Sequence, residues 1–535
     1  MPSAERIRTL RPARLSCIGL VICGLLGCHP TGESSRITVA AAGKITSLDP
    51  AQASTFNTLQ LLSAIGDPLY SLSEDGTLQP RLADGPPAVS PDGRTVTIQL
   101  RNDVRFHDGT PFNAEAMAFS LRRFLRIGSL SYIVAGRISA VETDGKDRLV
   151  LKLSRPSTSL AGLLTSVNLT PVSPTAYNSH RDRFLHDRFV GTGPYRLTRF
   201  TEHQQRLEPF KEYWGTAPRN SGLDLISLSN STALFGALRS GEVDVLLSPS
   251  IDEDQRYALN QQARAGQLRE AVGPAAEIGY ITLLSREAPL NRKPLRQALS
   301  LSLNRSEISD RVSYGLRRPL QSIIPPSLAG GQHTPWPAHD PAKARSLLKQ
   351  AGYCTGQRLQ VPLTFRSNVP ADKLLALTWQ AQVRRDLSDC LSLDLDGVES
   401  TTIYRQLGEG AFKAVMLDWR GTYPDPEAYL TPLLSCSDGD DGICNNGEAA
   451  ISGSFWTNER VQAALQRSDR LKGVDRLDQL NRIQTLTAEG AAYIPVWLES
   501  PRAWSQTQLA PPRFDGSGHL ILRDLHRKAK AGERT

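Results

Sequence analysis

Alternating apolar and polar positions mark the first strands. In residues 95–101, Val96, Ile98 and Leu100 alternate with polar neighbours, the pattern of a strand buried on one face. Arg148–Leu153 repeats it, and residues 36–41 read as a strand leading into a loop at 47–57. Residues 113–126 follow a helical period instead. Asn113 can cap that helix, Glu115 suits its first turn, and Ala116, Phe119, Leu121 and Phe124 supply apolar contacts. From Gly191 the pattern becomes strand, hairpin and helix. Tyr195–Phe200 and residues 205–210 predict paired strands, residues 232–240 a helix ending at Gly241, and residues 243–247 a short apolar strand of the buried parallel type. Residues 293–303, 341–351 and 372–387 predict helices, and 359–365 and 414–419 strands. Strands alternating with helices predict an α/β fold. The 535 residues imply two or three domains, and with no repeat or low-complexity linker these should exchange chain segments.

Composition narrows the class. Hydrophobic residues at 40% and charged residues at 22% fit a soluble globular chain, and 35 prolines with 41 glycines imply many turns. The net charge of +8 is dispersed among acids without a basic patch, which argues against nucleic-acid binding. The N-terminus carries more information. Arg6, Arg8, Arg11 and Arg14 precede an apolar run at 15–26, shorter than the ~20 residues of a membrane-spanning helix but sized as a secretory core. Leu25-Leu26-Gly27-Cys28 then resembles a lipobox. Residues 1–27 are therefore expected to be a lipoprotein signal peptide, Cys28 the lipidated residue and 28–35 a tether.

Export bears on the cysteines. Cys17 and Cys23 would leave with the signal, and Cys354, Cys390, Cys436 and Cys444 remain in a disulfide-permissive compartment. Three pairings are open. Cys436–Cys444, closing a short acidic loop, and Cys354–Cys390, flanking one helical segment, are favoured. A zinc site is disfavoured because no histidine lies near them. The Asp438-Gly439-Asp440-Asp441 stretch fails the EF-hand spacing, and no metal site is expected.

Four separated segments carry a family resemblance. Leu82-Ala83-Asp84 leads to Arg101-Asn102-Asp103-Val104-Arg105-Phe106-His107-Asp108-Gly109-Thr110-Pro111-Phe112. Gly191-Thr192-Gly193-Pro194-Tyr195 is followed by Tyr213-Trp214-Gly215 and Ser240-Gly241-Glu242-Val243-Asp244. Then come Pro294-Leu295-Arg296-Gln297-Ala298-Leu299 with Asn304-Arg305, and Asp340-Pro341-Ala342-Lys343-Ala344 before Leu347-Leu348. In order and spacing, this resembles the bacterial extracellular solute-binding proteins of family five, the peptide- and nickel-type lipoproteins of ABC importers. The resemblance implies a two-lobe periplasmic-binding-protein-like α/β fold, type II of the large peptide-binding class. Lobe one would comprise 36–277 and 488–535 with an extra subdomain at 78–186, and lobe two 278–487, the crossing strands acting as hinges. It also implies a peptide-like ligand, with a metal chelate, glycoside or blocked peptide as the alternative, a membrane permease with its ATPase as partner, a monomer, and no cofactor.

Site residues follow from the same resemblance. The family's Trp-x-x-Asp loop, whose aspartate pairs with a peptide's α-ammonium, matches Trp419-Arg420-Gly421-Thr422-Tyr423-Pro424-Asp425. Thr422 thus stands at the aspartate's position and offers no charge. This predicts ligands that are blocked or neutral at that end, unless Asp425 compensates. Arg366 occupies the place of an arginine that receives a ligand carboxylate, suited to it by a bidentate guanidinium. Ser54, Thr55, Phe56 and Asn57 resemble a first-lobe loop that contacts ligand, and Trp419 and Tyr423 could wall the cleft. The residues 191–195 are expected to turn between lobes, and His107 to be a scaffold residue. No Gly-x-Ser-x-Gly, His-Glu-x-x-His or nucleotide-binding loop occurs, and Ser346-Leu347-Leu348-Lys349 lacks the accompanying penicillin-binding motifs, so no enzyme is expected.

Overall fold

A computed structural model describes residues 36–528 except 132, 133, 135 and 248–250. The signal segment, Cys28 and the tether lie outside the described residues.

Two sheets form the frame. The first has seven strands in the order Leu268–Val272, Arg502–Gln506, Val245–Leu247, Ile37–Ala42, Leu223–Leu228, Gln204–Pro209, Tyr195–Phe200. Ile37–Ala42 runs parallel to both neighbours, with Val39 opposite Leu225 on one side and Val245 on the other. Helices cover one face through Leu234, Leu238 and Leu259, which pack with Trp504 of the sheet, while Ile37 and Val39 on the other face join the main core. Val245–Leu247 is therefore buried throughout and needs no polar alternation. The helix Ser231–Ser240 starts at Asn230, whose side chain accepts from Ala233 N, and stops at Gly241, left-handed at φ 79°.

A smaller antiparallel sheet is inserted into this lobe, ordered Ala88–Val89, Thr95–Gln99, Arg148–Leu153, Ile138–Asp144. The helix Ala114–Ile127 packs on it with Met117, Leu121 and Phe124 buried; Asn113 caps it, accepting from Ala116 N. The turn at 191–195 belongs here and does not lie between the lobes. Gly193 N donates to Ile65 O at 3.2 Å and His107 N to Gly191 O at 2.9 Å, tying the turn to the first-lobe helix Phe56–Ile65 and to the insertion. A Cβ on Gly193 would collide with the Ile65 backbone, which explains the glycine. His107 Nε2 lies 3.0 Å from Gly193 O, and burial pulls the imidazole pKa down to about 4, so it is a neutral structural donor.

The second sheet has six strands: Arg318–Pro319, Tyr493–Glu499, Glu277–Leu283, Ala414–Arg420, Leu359–Arg366, Leu391–Val398. Glu277–Leu283 is antiparallel to both neighbours, whereas Leu359–Arg366 is parallel to both of its own. Leu295, Leu299 and Trp379 pack on one face against Ile281 and Leu363. On the opposite face Tyr280 and Leu417 meet the cluster containing Leu430, Leu433 and Ile483.

The chain passes between the sheets at 273–276 and again at 500–501, and Gly273 N donates to Pro501 O at 2.8 Å. The return to the first lobe thus begins near residue 500, not 488. Tyr493–Glu499 belongs to the second sheet as the partner of Glu277–Leu283. An almost wholly buried apolar strand carries no sequence mark of the sheet it joins.

Cys354 pairs with Cys390 and Cys436 with Cys444, at Cα separations of 4.1 and 5.8 Å. Asp438–Asp440 and Ile443–Asn446 form a hairpin around the second bridge. Ser346 and Lys349 are exposed on the helix Pro341–Gln350. Replacing both Cys354 and Cys390 by serine should lower unfolding free energy by about 3–4 kcal/mol, since the bridge closes a 36-residue span. Denaturant titration of the variant against wild type measures this.

Candidate functional site

Between the two sheets lies a cavity of about 470 Å³, within the ~300–1,000 Å³ of small-molecule pockets. The first lobe contributes Phe56, Leu59, Leu130 and Val167, the second Leu328 and the loop after Ala414–Arg420. The C-terminal return adds Gly516, Ser517 and His519. A second cavity of about 410 Å³ inside the first lobe shares Leu72, Thr165, Val167, Ser517 and His519 with it, so the two adjoin.

The nine expected site residues divide. Ser54, Phe56, Trp419, Thr422 and Tyr423 line the cavity. Trp419 Nε1 donates to Ala428 O at 2.7 Å, which fixes the indole as a half-buried wall. Tyr423 is buried beneath the Arg137 guanidinium of the first lobe. Thr55 and Asn57 act on the backbone instead: Thr55 caps the helix Phe56–Ile65, and Asn57 Nδ2 donates to Gly43 O at 3.0 Å.

Arg366 is not free to receive a ligand carboxylate. It is buried and ion-paired to Asp372 at 2.7 Å and to Asp418 at 2.6 Å. Burial alone would weaken its hold on the proton, but the two carboxylates more than reverse that and keep it charged. Asp425 is equally committed. Both of its oxygens pair with Arg476, at 2.6 and 2.9 Å, and Oδ1 also accepts from Glu427 N. It cannot stand in for the charge missing at Thr422.

Charge enters the cleft elsewhere, through Glu277, Asp418 and Arg420, all lining the cavity. Glu277 opens the strand Glu277–Leu283, directly opposite Arg420 on one neighbour and Glu499 on the other. Opposed residues of an antiparallel pair share a face, so the three side chains point together. Arg420 Nη2 donates to Ser517 O at 2.7 Å and lies over Phe56, bridging the lobes. Glu499 binds Arg256 of the first lobe at 2.6 Å and Arg317 of the second. Burial first, then Glu499 and Asp418, push the Glu277 carboxyl up to about 8 against the pull of Arg420 and Arg317. Sequence reading passed over these residues. Arg420 stood within the quoted loop and Asp418 directly before it, but Glu277 fell on the expected domain boundary, where nothing local distinguishes a hinge residue from a ligand contact. Among the described residues no group of three or more His, Cys, Asp or Glu side chains is placed to hold a metal ion.

The far side of the cleft is also bridged. Arg137 of the insertion pairs with Glu427 of the second lobe, Ser159 Oγ donates to Glu427 at 2.7 Å, and Arg155 meets Asp469 at 3.0 Å.

Two α/β lobes joined by paired crossings around an interlobe cavity define a type II solute-binding architecture. The chain belongs to the bacterial extracellular solute-binding proteins, family 5, whose middle region it matches over residues 77–441. As such it is the extracytoplasmic solute-binding component of an ABC import system. It is 28% identical over 466 residues to the glutathione-binding protein GsiB of Salmonella choleraesuis, covering 85% of this chain and 87% of that protein. The GsiB of Shigella dysenteriae is 24% identical over 501 residues, 92% of this chain and 93% of the relative. In fold it is similar to a dipeptide-binding protein from a Pseudoalteromonas species solved with Met-Leu, with TM-score 0.79, 21% identity and coverage of 92% and 100%. It is also similar to NikA of Brucella suis solved with Fe(III)-EDTA, with TM-score 0.80, 20% identity and the same coverage.

Asp425→Asn should cost about 3 kcal/mol of stability, because it strands Arg476 in a largely buried pair. Denaturant titration and ligand calorimetry on one preparation check the assignment. Lost ligand affinity at unchanged stability would return Asp425 to the cleft.

Proposed function

We propose that the chain captures a short peptide or peptide-like ligand in the interlobe cavity, retains it without turnover, and presents it as a monomer to a membrane permease. The observation that carries this reading is the cavity itself: apolar walls from both lobes, with Glu277, Asp418 and Arg420 grouped on one side. A short peptide is amphipathic in the same sense, apolar along its side chains and charged at its ends. The names of the relatives, glutathione-binding, and of a structural neighbour, dipeptide-binding, accord with that class of ligand.

Calorimetry and native mass spectrometry with reduced glutathione, Met-Leu and tripeptides test it. Stoichiometric binding without cleavage is expected, and rejection of all of them would overturn the peptide reading. Solution scattering on the same samples should show the radius of gyration falling on binding, because a ligand held by both lobes favours the closed arrangement.

We also propose that the mature chain is held at the membrane by lipid on Cys28. The basic stretch, short apolar run and Leu25-Leu26-Gly27-Cys28 support this, and no described helix is long and apolar enough to cross a membrane. Cys28→Ser should move the protein from the membrane fraction to the soluble fraction; unchanged retention would exclude the lipid anchor.

A further inference from the structure

We propose that Glu277 is the cation-binding residue of the cleft and that it selects ligands bearing an ammonium group, in place of the carboxylate that Thr422 lacks. The inference rests on the peptide-binding reading and deepens it. Glu277 is half-buried and lines the cavity, and among the described residues its carboxylate has no hydrogen-bond or ion-pair partner. Every carboxylate around it is already engaged. Glu499 holds Arg256 and Arg317, Glu253 holds Arg317, Asp418 and Asp372 hold Arg366. Arg420, its cross-strand neighbour, donates instead to Ser517 O.

The cluster thus sets Glu253, Glu277, Asp372, Asp418 and Glu499 against Arg256, Arg317, Arg366 and Arg420. With Glu277 ionised it carries one negative charge in excess, and a buried charge of that kind demands a partner. A ligand ammonium entering the cavity supplies it, forming the charge-assisted hydrogen bond that no protein group makes. Glu277, facing Glu499 on one strand and Asp418 and Arg420 on the other, keeps its proton near neutral pH until that cation arrives. Binding therefore expels one proton to solvent as the ammonium takes its place. The sign follows: affinity for a cationic ligand rises with pH up to about 8 as Glu277 ionises, and falls again where the ligand's own ammonium deprotonates, from roughly pH 8 for a peptide α-amino group.

The test is calorimetry at pH 6.5 in phosphate and in an amine buffer, whose different ionisation enthalpies count released protons. The probes are Met-Leu and reduced glutathione, each against its N-acetyl form, and 1,5-diaminopentane as a cation without a peptide. The free-amine probes should release about one proton each, and Glu277→Gln should weaken them about 100-fold or more while leaving N-acetyl forms within a few-fold. Glu277→Asp, which keeps the charge on a shorter arm, should retain proton release at reduced affinity and covers the case in which Glu277→Gln fails to fold. Equal binding of free and N-acetyl peptides with no proton released would overturn this inference and leave the peptide reading intact. Glu277-dependent binding of the diamine without any peptide would do the reverse. Rejection of every probe, the N-acetyl forms included, would overturn both.

Discussion

Everything in this molecule hangs on two chain crossings held side by side by the bond from Gly273 N to Pro501 O. A Cβ on Gly273 would fall 2.8 Å from the Pro501 ring and 2.9 Å from Phe514, so glycine is what lets the crossings approach. Their strands continue on either side: Leu268–Val272 pairs with Arg502–Gln506 in one sheet, Glu277–Leu283 with Tyr493–Glu499 in the other. Two short adjacent links permit rotation of one lobe against the other but little sliding. The first residues beyond the links, Glu277 and Glu499, are thereby fixed near the rotation axis. Arg256 of one lobe can then reach Glu499 of the other while staying buried.

The opposite rim of the cleft is built differently. Arg137 and Arg155 of the insertion meet Glu427 and Asp469 of the second lobe far from the crossings. Opening the lobes would return all four side chains to water, regaining the hydration they lose on contact. Ion pairs of this kind gain Coulomb energy and lose solvation in similar measure, so they contribute little net bias. They serve to define one closed register, because a misaligned closure would leave like charges or unpaired charges facing. The energy that favours closure must come from the apolar surfaces brought together around the ligand.

The sequence was legible wherever a local period or a cap decides the outcome. Asn113 and Gly241 bounded helices as read, and the alternation of Val96, Ile98 and Leu100 became a strand. Family spacing picked out Trp419, Thr422 and Ser54, and these line the interlobe cavity. What stayed hidden depends on partners distant in sequence. Arg366 looks like an anion receiver until Asp418, far along the chain, takes its guanidinium, and Asp425 looks available until Arg476 does the same. Whether a charged residue is free or spent is a property of the packing alone. Tyr493–Glu499 was misplaced for a related reason, since a strand buried nearly throughout has no polar face to show which sheet it enters.

Position relative to the axis also separates the roles within the cleft. Rotation displaces an atom in proportion to its distance from the axis, so a group bound at Glu277 keeps nearly the same surroundings in open and closed states. A contact equal in both states adds affinity but cannot shift the balance between them. A ligand cation held at the hinge strand would therefore act in first capture, before the lobes close. Phe56 and Val167 in one lobe and Trp419 and Thr422 in the other belong to surfaces that meet across the cavity. Ligand bulk spanning those surfaces touches both sides only when the lobes are together, and it alone supplies the differential contact that closure requires. On the proposed reading, charge at the hinge and apolar volume across the cleft would control separate steps, recognition of the ligand's end group and commitment of the closed form.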